Sequence, residues 1–258
     1  MKTRLVILAA WLLAPAVLLC AAEAPAARPN ILVILADDLG YADVGFNGCK
    51  DIPTPNLDRL ARAGVRCTSG YVSHPFCSPS RAGLITGRCQ QRFGHENNPA
   101  WLPESTVAGL PLSQTTLPQV LKTAGYLTGG VGKWHLGAHP QFHPNRRGFD
   151  EYFGLLGGGH IYTPGAKGSV EYLIPMDRNG TPEPLTEYLT TVLAREGAAF
   201  VTRRQDRPWF LYLAFNTPHT PLQIADPLRE RVQHITDETR RGYAGLVVSL
   251  DDAVGVVM

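Results

Sequence analysis

Ile31 to Leu35 is an unbroken aliphatic run bounded by Pro29-Asn30 and Asp37-Asp38-Leu39-Gly40. That pattern predicts a strand with apolar layers on both faces, placed centrally in a sheet. Thr54 offers an N-cap and Pro55 a first-turn residue, Leu57, Leu60 and Ala61 share one face, and Gly64 is a stop, so 55–63 reads as a helix. Val65 to Val72 reads as a strand. Helices are predicted from near Pro79 to Thr86 and over 117–124, where Gly125 ends the second, and Tyr126 to Val131 returns to extended chain. Residues 139–184 are rich in Gly, Pro and aromatics without a sustained period, which predicts long loops and a hairpin over the sheet edge. Helical spacing resumes over 185–204, Trp209 to Phe215 forms a strand, and a last helix starts near 237. Strands alternating with helices predict an α/β layered fold with a mostly parallel central sheet and helices on both faces.

Composition narrows the class. With 44% hydrophobic and 18% charged residues, the chain has enough apolar mass for one full-sized core. Net charge is only +2, and the basic residues reach no further than pairs such as Arg146-Arg147, which argues against nucleic acid as a partner. Residues 1–22 read as a signal peptide: Lys2 and Arg4, an apolar run from Leu5 to Leu19, then small residues around Cys20-Ala21-Ala22. The chain is therefore expected to be exported, periplasmic or secreted, with no membrane association once the leader is removed. Residues 23–258 are left as one domain. Of the five cysteines, Cys49, Cys67, Cys77 and Cys89 lie beyond the leader, too few to staple a domain of this size, and their pairing is open.

Candidate chemistry sits at strand ends, where ligands gather in open α/β sheets. Asp37-Asp38 follows the first strand. Two carboxylates can share a cation if the chain bends, and all-oxygen ligation suits Ca²⁺ or Mg²⁺, while the same pair also suits a solvated turn that caps a helix. Cys77-Ser78-Pro79-Ser80-Arg81 opens a helix, whose N-terminus and Arg81 together favour an anion at Cys77, although a small free cysteine is also a common packing residue. Gly132-Lys133-Trp134-His135-Leu136-Gly137 follows the strand 126–131 and sets Lys133 and His135 on one side, with Trp134 toward the core. His219 follows the strand 209–215 between Pro218 and Pro221. Pro140 and Pro144 argue against a helix presenting His139 and His143 to zinc. Asp251-Asp252 reads as a polar helix face or a local structural contact.

These blocks together resemble the formylglycine-dependent sulfatases of the alkaline phosphatase superfamily. The resemblance rests on Arg28-Pro29-Asn30-Ile31-Leu32 leading to Asp37-Asp38-Leu39-Gly40, on Pro53-Thr54-Pro55-Asn56-Leu57-Asp58, and on Cys77 to Arg81 continuing through Leu84-Ile85-Thr86-Gly87-Arg88. It rests also on Gly125-Tyr126 through Gly137 and on Arg147-Gly148-Phe149-Asp150, all in family order. It implies an alkaline-phosphatase-like layered fold and a sulfuric ester hydrolase acting on sulfate monoesters. In such enzymes the motif cysteine, here Cys77, is oxidised to formylglycine by a formylglycine-generating enzyme, and its hydrate is the nucleophile. The resemblance implies that Asp37, Asp38 and modified Cys77 ligate Ca²⁺ rather than Mg²⁺. Arg81 would hold the hydrate, His135 would help deprotonate it, Lys133 would bind sulfate oxygens and His219 would serve the leaving oxygen. A sulfated carbohydrate is the expected substrate. The family also has a downstream Asp-Asn pair and a lysine that this sequence does not contain, so the chain is expected to be the N-terminal portion of the catalytic domain. Two other readings stand beside this one: a phosphomonoesterase or phosphonate hydrolase of the same superfamily, and a truncated glycan-binding domain without turnover.

Overall fold

A computed structural model describes residues 28–203 and 206–258. The proposed leader, 1–22, lies outside the described residues. In chain order the elements are β1 (Ile31–Leu35), α1 (Pro55–Ala63), α2 (Cys77–Thr86), α3 (Leu117–Thr123), β2 (Leu127–Lys133) and β3 (Glu151–Leu155). They continue with β4 (Met176–Arg178), β5 (Thr181–Glu183), α4 (Leu189–Arg203), β6 (Trp209–Ala214), α5 (Asp226–Arg231) and α6 (Glu238–Val257).

The sheet runs β1-β6-β2-β3-β4-β5, with the first four strands parallel and the last two antiparallel. Along β6 the side chains alternate between two apolar layers. Leu211, Leu213 and Phe215 meet α4 and α6 through Leu193, Phe200, Leu246 and Leu250, while Phe210, Tyr212 and Ala214 meet Ala82 and Ile85 of α2. A period of two with no polar position is what a strand covered on both faces requires. The expected layered α/β architecture is therefore present.

Three expectations need correction. The aliphatic run Ile31–Leu35 is a strand, but among the described residues it is an edge strand paired only with β6, and all five residues are half-buried. Apolar side chains report which faces are covered, whereas edge position is decided by main-chain groups that leave no trace in hydropathy. Val65 to Val72 forms no strand and is exposed throughout, because no neighbouring strand lies beside it to pair with its backbone. The span 139–184 contains not only the β4–β5 hairpin at the sheet edge but also β3, where Glu151 and Gly154 interrupt the apolar run that would mark a strand.

Helix α1 shows how distant chain closes local structure. Thr54 occupies its N-cap, yet the Thr54 hydroxyl turns away, accepting from the Gly45 amide at 2.8 Å and donating to Asp58 at 3.2 Å. The cap comes instead from Asp251 on α6, wholly buried, whose carboxylate accepts from the Leu57 amide at 2.8 Å, the Asn56 amide at 3.2 Å and the Asn56 side chain at 2.9 Å. A carboxylate at a helix N-terminus satisfies otherwise orphaned N–H groups and meets the positive end of the helix dipole. The neighbouring Asp252 is half-exposed and paired with Arg231.

Asp251→Ala should lower the unfolding free energy by about 2–3 kcal/mol, because it leaves charge-assisted bonds to two amides unmade in a buried place. Asp252→Ala should stay within about 0.5 kcal/mol of the parent. Urea denaturation of the two variants provides the comparison, and equal losses would contradict the capping role.

Candidate active site

Strands β1, β6 and β2 are neighbours and parallel, so the residues following them emerge at one edge of the sheet. Asp37 lies just past β1, Lys133 closes β2, and the turn 216–221 carrying His219 follows β6. Helix α2 delivers Cys77 and Arg81 to the same edge. It begins at Cys77 itself, two residues earlier than expected, and Pro79 is accommodated in a first turn whose amides have no helical acceptor.

At the centre is a buried ion triad. Asp37 contacts Lys133 Nζ at 2.5 Å and Arg81 Nη2 at 3.0 Å, and all three residues are almost wholly buried. Arg81 Nη1 donates to the Lys133 carbonyl at 2.8 Å, and the Asp37 amide donates to the Thr217 carbonyl at 3.0 Å. The chain does bend after Asp37, since Asp38 adopts a left-handed backbone with φ 61°. Asp38 is consequently turned outward, with its carboxylate 3.6 Å from His219 Nε2. Ligand atoms of Asp37, Cys77 and His219 all lie within 4.8 Å of one another, a group of the size a single cation spans.

Burial and charge set the protonation states. Burial by itself would raise the Asp37 pKa, but Arg81 and then Lys133 more than reverse this and bring it down to about 2. Burial works against the charge of Arg81 too, and Asp37 more than restores it. His135 goes the other way: burial, then the charges of Lys133 and Arg81, push its pKa down to about 2, so the ring is neutral imidazole. At Cys77 burial dominates and raises the thiol pKa, opposed by Lys133 and seconded by Asp37. The expectation that Arg81 reaches back to make an anionic sulfur therefore fails in the unmodified protein, because the guanidinium points to Asp37. A protonated, half-buried thiol suits a precursor better than a thiolate nucleophile.

The seven predicted residues thus gather at one place, in three relations. Asp37, Arg81 and Lys133 touch, Cys77 and His219 crowd Asp37, and Asp38 faces His219 from the solvent side. His135 stands beside them but not in extended chain as its spacing suggested; its φ is 55°, and its Nδ1 is buried without a partner. Trp134 is in the core as expected, donating to the Phe142 carbonyl at 2.9 Å. His139 and His143 each accept from a backbone amide two residues on, inside separate short turns, which keeps them from acting as one ligand pair. Cys49, Cys67, Cys77 and Cys89 are all free thiols.

Sequence reasoning missed the residues that support the site. Tyr162 Oη lies 3.0 and 2.7 Å from the Asn216 and His219 carbonyls and shares its one proton between them, and the Tyr172 ring packs edge-on to His219 at 6.2 Å. His95 and Asn98 bond to Ser78, at 2.7 and 2.9 Å. Most of these contacts reach main-chain groups or a serine next to the motif cysteine, so no spacing rule could have singled them out.

A mostly parallel sheet with helices on both faces and polar residues gathered at its carboxyl edge defines an α/β protein of the alkaline-phosphatase-like class. The solved structure of Ps i-CgsB superposes with a TM-score of 0.84 at 46% identity, covering 89% of this chain and 54% of that one. YidJ of Bacteroides fragilis, described as a putative sulfatase, shares the fold with a TM-score of 0.74 at 23% identity, covering 89% of this chain and 57% of that one. The sulfatase family model matches residues 29–258, and the chain belongs to that family. N-acetylgalactosamine-6-sulfatase of Canis lupus familiaris is 38% identical over 89% of this chain and 46% of its own length. Arylsulfatase A of Homo sapiens is 38% identical over 93% of this chain and 50% of its own. The chain spans about half the length of the curated relatives it matches.

Asp37 has a lower pKa folded than unfolded, so its contribution to stability is complete above about pH 4 and disappears as pH falls through about 2. A shift of this size corresponds to roughly 2–3 kcal/mol. Denaturant midpoints measured between pH 5 and pH 2 should therefore fall more steeply for the parent than for Asp37→Asn, which should already be destabilised at neutral pH because two buried cations lose their counter-charge. Parallel acid limbs would show that the triad does not carry the shift.

Proposed function

We propose that this chain carries the nucleophile half of a sulfuric ester hydrolase that cleaves sulfate monoesters of carbohydrates. The observation carrying this reading is the placement of Cys77 at the first turn of α2, within 4.8 Å of Asp37 and over the Asp37–Arg81–Lys133 triad. Family membership supports the reaction class. Ps i-CgsB, at 46% identity, has been solved in complex with k-i-k-neocarrahexaose, which supports a glycan substrate. The reading includes maturation of Cys77 by a formylglycine-generating enzyme and export directed by residues 1–22. Among the described residues, no helix is long and apolar enough to cross a membrane.

The residues present fit the groups this chemistry needs. Asp37 and Asp38, with the oxygens that modified Cys77 would offer, would supply hard-oxygen ligands to Ca²⁺, which would polarise a bound sulfate; Asp37 already lies in one cluster with Cys77 and His219, and Asp38 would have to turn in from its place beside His219. Formylglycine would supply a hydrated aldehyde, one hydroxyl to attack sulfur and a second to release sulfate afterwards.

The chain's own side chains then have distinct tasks. Arg81 is immobilised by Asp37 and the Lys133 carbonyl, and so presents a fixed positive charge beneath residue 77. Lys133 adds a second cation at the carboxyl edge for sulfate oxygens. An anionic ester arriving there offsets the two charges that, after burial, hold the His135 pKa down, and the neutral ring is then able to take a proton. His219 Nδ1 donates to the Thr220 carbonyl at 2.6 Å, which turns Nε2 toward Asp38 at 3.6 Å and toward the leaving oxygen; delivery of a proton from Nε2 requires the doubly protonated ring.

Coexpression with a formylglycine-generating enzyme should convert Cys77 to an aldehyde detectable by peptide mass spectrometry and hydrazide capture. In a chain extended to full length, turnover of an aryl sulfate by the matured protein in calcium buffer should vanish in Cys77→Ala and fall about a hundredfold or more in Lys133→Ala, the usual scale for losing one transition-state contact. In that same extended chain, Asp37→Ala and Asp38→Ala should each abolish tight Ca²⁺ binding in calorimetric titration. Hydrolysis retained by Cys77→Ala would overturn the reading.

A further inference from the structure

His135 holds a left-handed backbone, with φ 55°. A residue with a β-carbon keeps that conformation only where its surroundings impose it. Its amide donates to the Leu156 carbonyl at 3.1 Å, which fixes one side. The other side is held from α2: Ser78 Oγ donates to the His135 carbonyl at 2.6 Å. Ser78 is fully buried and immediately follows Cys77.

A serine hydroxyl has a single proton. With that proton given to the His135 carbonyl, the 2.7 Å contact between Ser78 Oγ and His95 Nε2 must be a donation from the ring. His95 is itself buried, and burial lowers its pKa, while a backbone bond from the ring to Gly109 opposes this and competes with Ser78 for a ring proton. Asn98 Oδ1 accepts from the Ser78 amide at 2.9 Å, so the loop 94–100 grips Ser78 by side chain and main chain together.

We propose that His95 and Ser78 are positioning residues: the path His95 Nε2–H to Ser78 Oγ–H to the His135 carbonyl fixes the His135 ring relative to residue 77. Neither group touches the reacting atoms; both act through His135. Nothing in the family match or in the relatives' names assigns them a role. The inference rests on the proposed part of His135 in sulfate ester hydrolysis, but the geometry it asserts is measurable without turnover.

The test uses the whole chain labelled with ¹⁵N and ¹³C. Nitrogen-detected NMR of the unmutated protein should show His95 protonated at Nε2, with slow exchange of that proton. In Ser78→Ala the His135 Cα and amide resonances should leave their left-handed positions while the amide spectrum of the sheet is kept, and Ser78→Thr, which restores a hydroxyl, should return them. His95→Ala, which keeps the hydroxyl but frees it, should broaden the same resonances and serves where Ser78→Ala does not fold. On matured protein with equal formylglycine content by mass spectrometry, Ser78→Ala should lower kcat about tenfold to a hundredfold with little change in KM, as a misplaced catalytic group does. A His95 ring protonated at Nδ1 alone, or His135 resonances unmoved in both variants, would overturn the proposal. Absence of formylglycine or of turnover in the unmutated protein counts against the proposed function and leaves the NMR result to decide the relay.

Discussion

The site depends on one buried carboxylate. Asp37 sits between Arg81 and Lys133 where water is excluded, and each cation would be costly there without it. The three charges come from three elements: the end of β1, the first turns of α2 and the end of β2. Their attraction therefore fixes how the helix is seated over the sheet as well as the local field. Everything catalytic in the proposed reaction is referred to that seat, including the position of Cys77 and the low basicity of the neighbouring His135.

The same triad explains why Cys77 is a poor nucleophile as a thiol. Its guanidinium neighbour is engaged elsewhere, and burial weighs against ionisation. A site built to use a thiolate directly would spend its cations on sulfur. Here they are held on Asp37 instead, and in the proposed reaction they would serve the oxygens of the modified side chain and of a sulfate.

How much of this was legible in the sequence follows from which atoms do the work. The face alternation of β6 and the stops of α1 and α3 are written in residue types, and the elements they predict are there. The edge position of β1 and the failure of Val65 to Val72 to pair depend on where other backbones run, which one-dimensional patterning does not encode. The seven motif residues could be named because their chemical types and order are distinctive. Their arrangement differed at His135, where a left-handed backbone broke the strict alternation from which direction had been inferred. His95, Asn98 and Tyr162 carry no motif, since they act on amides, carbonyls and one serine.

The cap on α1 also bears on how the chain acquires its shape. Asp251 lies 195 residues from Asn56, and among the described residues β1 pairs only with β6. These are long loop closures, a topology that folds slowly. A nascent chain must carry the aliphatic Ile31–Leu35 without that partner until residues 209–214 have been made. For such a chain, the yield of folded protein is governed by whatever shields that strand during the wait.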